Sequence, residues 1–178
     1  MTSLFTTSDA VISHCGLYRY SLTMTWDVAR PVYCWLMLNP STADHTKDDP
    51  TIRRCLDFTE RWGGGGLVVV NLFALRSTDP KRVWGRGEAA VGPDNDRMIG
   101  LEAADRPVVA AWGADKRAWP RGKAVLAMIE QYAKSIECIG RSAEGYPRHP
   151  LYVPGETKRS SVDKIVNAPC LSCKVGLS

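Results

Sequence analysis

Three short segments of this 178-residue chain place groups capable of chemistry where simple packing does not call for them. Asn71 falls inside the apolar run Val68-Val69-Val70-Asn71-Leu72-Phe73, where a side-chain amide must find partners or a ligand. Its donor and acceptor, side by side, suit the edge of a nucleobase; the plain alternative is an amide that ties neighbouring loops. His149 lies between Arg148 and Pro150 in a stretch stiffened by Gly145-Tyr146-Pro147, and a histidine there can donate to a developing anion. The plain alternative is a histidine that only packs its loop. The third segment is Asn39-Pro40-Ser41-Thr42-Ala43-Asp44. Asn39 suits the holding of a water molecule, Pro40 turns the chain, and Ser41 and Thr42 suit a phosphate. Asp44 suits a general base or charge stabiliser, whereas Asp49 reads only as a helix cap.

These groups fit the cleavage of an N-glycosidic bond. That reaction builds positive charge on the sugar and negative charge on the departing base. It needs the base expelled into a pocket and read, water positioned, and a donor for the leaving anion. Phosphate contacts hold the strand. Arg76, Trp112, Arg148 and Tyr152 complete the substrate-facing set.

The elements that position these residues follow from hydrophobic periodicity. Residues 18–27 alternate, with Tyr18, Tyr20, Leu22, Met24 and Trp26 on one side and polar residues on the other, which predicts an edge strand with one wet face. Residues 32–38, 67–73, 107–112 and 136–139 are continuously apolar or nearly so, as strands covered on both faces are. Between them run helical stripes. Asp49-Pro50 opens one, with Ile52, Cys55, Leu56 and Trp62 inward; Asp94 opens another, with Met98, Ile99 and Leu101 inward; Val125, Met128, Ile129 and Tyr132 stripe a third. Alternation of strand and helix predicts a three-layer α/β/α fold with a mainly parallel four-stranded core sheet. Ligands of such sheets bind beyond the carboxyl ends of the strands, and the residues singled out for chemistry lie at or just beyond those ends.

Bulk properties set the outer limits. The length suits one domain over residues 1–178, with a core at about 18–153 and a tail, 154–178, to which the sequence assigns no role. A hydrophobic content of 44% and a charged content of 24% are those of a globular protein, and the net charge of +4 permits a polyanionic partner without requiring one. No apolar run is long enough for a membrane span, and residues 1–9 lack the order of a secretory signal, so a cytoplasmic protein without membrane contact is expected. Cys34, Cys55 and Cys138 read as buried thiols. Cys170 and Cys173 form one CxxC without a second pair, so neither a metal nor another cofactor is expected.

Asn39-Pro40-Ser41 after the first buried strand resembles the Gly-x-Asn-Pro motif of the mismatch-specific uracil/thymine branch of the uracil-DNA-glycosylase superfamily. Val68-Val69-Val70-Asn71, followed by Leu75-Arg76-Ser77-Thr78-Asp79-Pro80, resembles the second-strand Asn and basic loop of its thermophile-type branch. Arg148-His149-Pro150 resembles the His-Pro motif after the fourth strand. The strings Met37-Leu38-Asn39-Pro40-Ser41-Thr42-Ala43-Asp44, Asp48-Asp49-Pro50-Thr51-Ile52 and Pro147-Arg148-His149-Pro150-Leu151-Tyr152 resemble more closely a bacterial and phage family catalogued as a domain of unknown function. The superfamily resemblance implies a uracil-DNA-glycosylase-like fold and a DNA partner, with Asn39 positioning water, Asn71 reading a flipped base and His149 stabilising the leaving base. The first motif has no Asp, and Leu151-Tyr152 stands where a serine is usual. A modified base, such as phages use to mask their genomes, is therefore the expected substrate, with a role in defence or base turnover. Two other readings use the same rim: a nucleotide- or base-modifying enzyme, and a catalytically silent nucleic-acid-binding module.

Overall fold

The computed structural model describes residues 7–41 and 49–162. Seven strands form one sheet: β1 (Thr7–Ile12), β2 (Arg19–Thr25), β3 (Val32–Met37), β4 (Gly66–Asn71), β5 (Pro107–Ala110), β6 (Ser135–Cys138) and β7 (Ser160–Ser161), in the order β1-β2-β4-β3-β5-β6-β7. The four apolar segments expected as strands are β3 to β6. They pair in parallel, β4 with β3, β3 with β5, and β5 with β6. The flanks are antiparallel, β1 with β2, β2 with β4, and β6 with β7. The sheet as a whole is therefore mixed rather than mainly parallel.

Among the described residues four α-helices cover it: α1 (Pro50–Arg61), α2 (Pro80–Arg86), α3 (Asn95–Ala103) and α4 (Trp119–Ile129). Ile52, Cys55 and Phe58 of α1 pack with Tyr33, Trp35, Leu67 and Val69 on one face. Val83 of α2, Ile99 and Ala103 of α3, and Val125, Leu126 and Ile129 of α4 pack with Leu36, Val68, Val70 and Val108 on the other. Strand residues two apart face the same side, so continuous apolar runs supply both cores at once. Cys34, Cys55 and Cys138 are buried thiols, and burial pushes the Cys34 thiol up to about 12, which makes it a poor nucleophile.

Three expectations need correction. Residues 18–27 contain a strand, but β2 is interior: β1 is the edge, and Arg19 and Ser21 of the supposed wet face are buried. In α3, Leu101 is exposed, and Asn95 takes an inward position, its Nδ2 donating to the carbonyls of Asn71 and Leu72 at 2.9 and 3.2 Å. On α4 the buried stripe is Val125, Leu126 and Ile129, while Tyr132 lies beyond the helix and is exposed. Part of the stretch after Val153, left without a role by the sequence, returns to the sheet as β7, Ser160–Ser161.

One packing contact bears directly on the site. The Trp112 indole lies against Gly122 of α4, where a Cβ would stand 2.5 Å from the ring. Gly122→Ala gains up to about 1 kcal/mol of helix propensity, but forcing a buried indole aside costs about 1–3 kcal/mol. Urea denaturation of the variant is expected to show net destabilisation; a midpoint above the wild type would mean that the indole moves freely.

Candidate functional site

The connection from β3 runs to α1 on one face, and the connection from adjacent β5 runs to α4 on the other. Loops that leave neighbouring parallel strands in opposite directions open a crevice at their carboxyl ends. A cleft of about 430 Å³ occupies that position. Leu38, Asn39 and Ser41 line it from the end of β3, Asn71 from β4, Trp112 to Asp115 from β5, and His149 and Tyr152 from the loop after β6.

Asn71 is 2% exposed, and its side-chain amide has no hydrogen-bond partner among the described residues although it lines the cleft. Its main chain is fixed, because Asn95 holds its carbonyl and Arg121 Nε donates to the next one, Leu72 O, at 3.1 Å. An amide that faces a cavity and is held from behind can offer both its donor and its acceptor to a ligand.

Asn39 donates through Nδ2 to Ser77 O at 2.8 Å and to Pro40 O at 3.2 Å. Its amide nitrogen is thus committed to the loop after β4, which leaves Oδ1 for a water or ligand. Pro40 is buried, accepts from Ser77 N at 2.9 Å, and shapes this turn without lining the cleft.

His149 caps the short 3₁₀ turn Pro150–Tyr152, its Nδ1 accepting from Leu151 N at 3.3 Å. An accepting Nδ1 places the proton of the neutral ring on Nε2, which is then a donor. Burial pulls the imidazole pKa below its ordinary 6.5, opposed by the negative charge of Asp49. Tyr152 stands at the mouth, 76% exposed, with its ring 5.6 Å from that of His149. Folding selects the neutral imidazole, so the unfolded chain binds more protons just below pH 6.5 and stability falls as pH drops through that window. An NMR titration of His149 is expected to give a midpoint below 6.5; a midpoint at or above it would contradict the buried neutral ring.

Trp112 is 2% exposed, and its Nε1 is buried without a partner among the described residues, so it serves as cleft wall and as packing for α4 at once. Arg76 and Arg148, expected to face substrate, do not line the cleft. Arg76 Nη1 donates to Gly16 O at 3.2 Å, and Arg148 Nε donates to Arg141 O at 3.1 Å within its own loop. Thr42 and Asp44 lie outside the described residues, as do Cys170 and Cys173.

The cleft also holds residues that sequence reasoning missed. Arg19 lines it at 6% exposure. The β1–β2 register shifts beside it, between Val11 and Ile12, whose β2 partners are Ser21 and Arg19. One extra residue on β2 breaks its alternation and turns Arg19 to the side of Asn71. Asp49 is more than a cap: it lines the cleft while its Oδ1 accepts from Thr51 N at 2.8 Å. Asp115 lines it too, and the Arg117 guanidinium beside it holds its carboxyl below the usual range. No group of His, Cys, Asp or Glu suited to a metal ion occurs among the described residues, and no helix there is long and apolar enough to cross a membrane.

The fold and cleft define the class: a mixed α/β domain with a cleft, lined by polar and apolar side chains together, at the carboxyl ends of its parallel strands. Over residues 19–151 the chain matches the family described as "Protein of unknown function (DUF1643)", and it belongs to that family. No curated protein and no solved structure matches it.

Proposed function

We propose that this protein is a DNA N-glycosylase that takes a flipped base, a modified pyrimidine, into the cleft and hydrolyses its N-glycosidic bond to leave an abasic site. The amide of Asn71, which lines the cleft without a side-chain partner among the described residues, carries the reading, because an amide facing a cavity fits a base edge. His149 supports it from the loop after β6. A neutral Nε2–H stabilises an anionic leaving base without first having to give up a proton. The uracil-DNA-glycosylase-like architecture belongs to this proposal, supported by four parallel strands between helices and by site loops at their carboxyl ends. Action in the cytoplasm on modified phage DNA, in defence or base turnover, is the biological setting that fits such a substrate.

Incubation with duplex and single-stranded DNA carrying natural and phage-type modified bases tests the reading. Alkali-labile abasic sites are expected with at least one of them. Binding without abasic sites would favour a silent nucleic-acid-binding module. Transfer of a group to the base or nucleotide would favour a modifying enzyme.

A further inference from the structure

We propose that Asp49 is a catalytic residue of the cleft, its carboxylate facing the sugar of the bound nucleotide and stabilising the positive charge that grows at C1′ as the base departs. The assignment rests on the glycosylase reading. It begins from a division of labour within one side chain. Oδ1 caps α1, accepting from Thr51 N at 2.8 Å and Ile52 N at 3.4 Å, whereas Oδ2 takes the hydroxyl of Ser41 at 3.3 Å on the cleft wall. The cap fixes the carboxylate on a twelve-residue helix, so Oδ2, which accepts only the Ser41 hydroxyl among the described residues, is held in place before substrate arrives.

The other carboxylate among the described lining residues is committed elsewhere. Asp115 is held in a two-point ion pair with Arg117, at 2.6 Å from Nη2 and 3.0 Å from Nε. Asp49 makes no such pair with a described residue. That the cavity takes a ligand is indicated separately by Asn71, 2% exposed and without a side-chain partner among the described residues, which lines the same cleft. His149 is close enough to Asp49 for the carboxylate to oppose the effect of burial on its imidazole.

The chemistry assigns the two groups to opposite ends of the breaking bond. An anion beside the departing base would repel the charge gathering there, so a carboxylate in this cleft serves the sugar side, and the neutral N–H of His149 serves the base. The C1′–N bond breaks with its electron pair on the base. Water forms the new C1′–O bond, and its surplus proton ends on the released base. Net hydrolysis consumes one water and needs no co-reactant.

Asp49→Asn tests this, because Asn caps a helix about as well as Asp while removing the charge. Two DNA probes of one sequence are compared. One carries an uncharged tetrahydrofuran in place of a sugar; the other carries a pyrrolidine whose protonated nitrogen mimics the charged sugar. The wild type is expected to prefer the pyrrolidine probe by about tenfold or more, and D49N to lose that preference while binding the tetrahydrofuran probe unchanged. The single-turnover excision rate of D49N should fall by about 10²-fold with an unaltered melting temperature. Asp49→Ala should lose rate equally and also melt earlier, by loss of the cap. An undiminished preference or full excision rate in D49N would overturn the assignment and leave Asp49 a cap. Absence of excision by the wild type from every DNA overturns the glycosylase reading, and this assignment with it.

Discussion

Asn71→Ala is expected to lower base excision by about 10²–10³-fold, the usual cost of removing one preorganised group from a reacting site, without destabilising the protein. The second half of that expectation separates a reader from a structural residue. A buried Asn that tied two loops would leave orphaned partners on truncation and cost about 1–3 kcal/mol. Asn71 has no side-chain partner among the described residues and its amide faces the cleft, so truncation orphans no described partner. Its melting temperature should match or exceed that of the wild type, a trade of stability for function. Duplex DNA should still bind, because phosphate contacts do not depend on the base pocket. Early melting of N71A together with loss of binding would assign Asn71 to the fold.

His149→Ala should reduce the single-turnover rate by a similar factor, with a smaller effect on DNA binding. Nδ1 and Nε2 serve different ends here, and two further variants separate them. Asn at 149 can accept from Leu151 N as Nδ1 does at 3.3 Å, but offers no donor where Nε2 stands. Gln reaches further and can place an N–H near the Nε2 position. H149N is therefore expected to keep the wild-type melting temperature yet remain slow, and H149Q to recover part of the rate. Full activity in H149A would remove His149 from the mechanism. Parallel losses of stability, binding and rate in all three variants would make it a loop-packing residue.

Much of this arrangement is legible in the residues, and the failures have identifiable causes. The runs that became β3 to β6 announce themselves because a strand covered on both faces is apolar at every position. β1 gives no such signal: all six residues are exposed, so no burial pattern marks it, and without β1 the neighbouring β2 reads as an edge. The short α2 could have been found, since Asp79-Pro80 repeats the cap-and-proline start that marked α1 at Asp49-Pro50. Leu101 illustrates a different failure: an apolar residue on a helix is not obliged to face inward. Within the site, Asn39, Asn71 and His149 were accessible because chain order places each just beyond or at a strand end. Arg19 was not, because a bulge on β2 turns it and alternation alone points it away. Arg76 and Arg148 suggest a substrate contact by their charge, but their guanidinium groups bind the chain's own carbonyls at Gly16 and Arg141.

The central claim is that a base leaves DNA by way of this cleft, and mass spectrometry of the small-molecule fraction tests it most directly. Purified protein is incubated with DNA from phages carrying modified pyrimidines, and the supernatant is examined for free base alongside a count of abasic sites. One specific free base is expected, released in equal number with abasic sites by the wild type and absent with N71A. Intact DNA with no free base, or free base released equally by N71A, would contradict it.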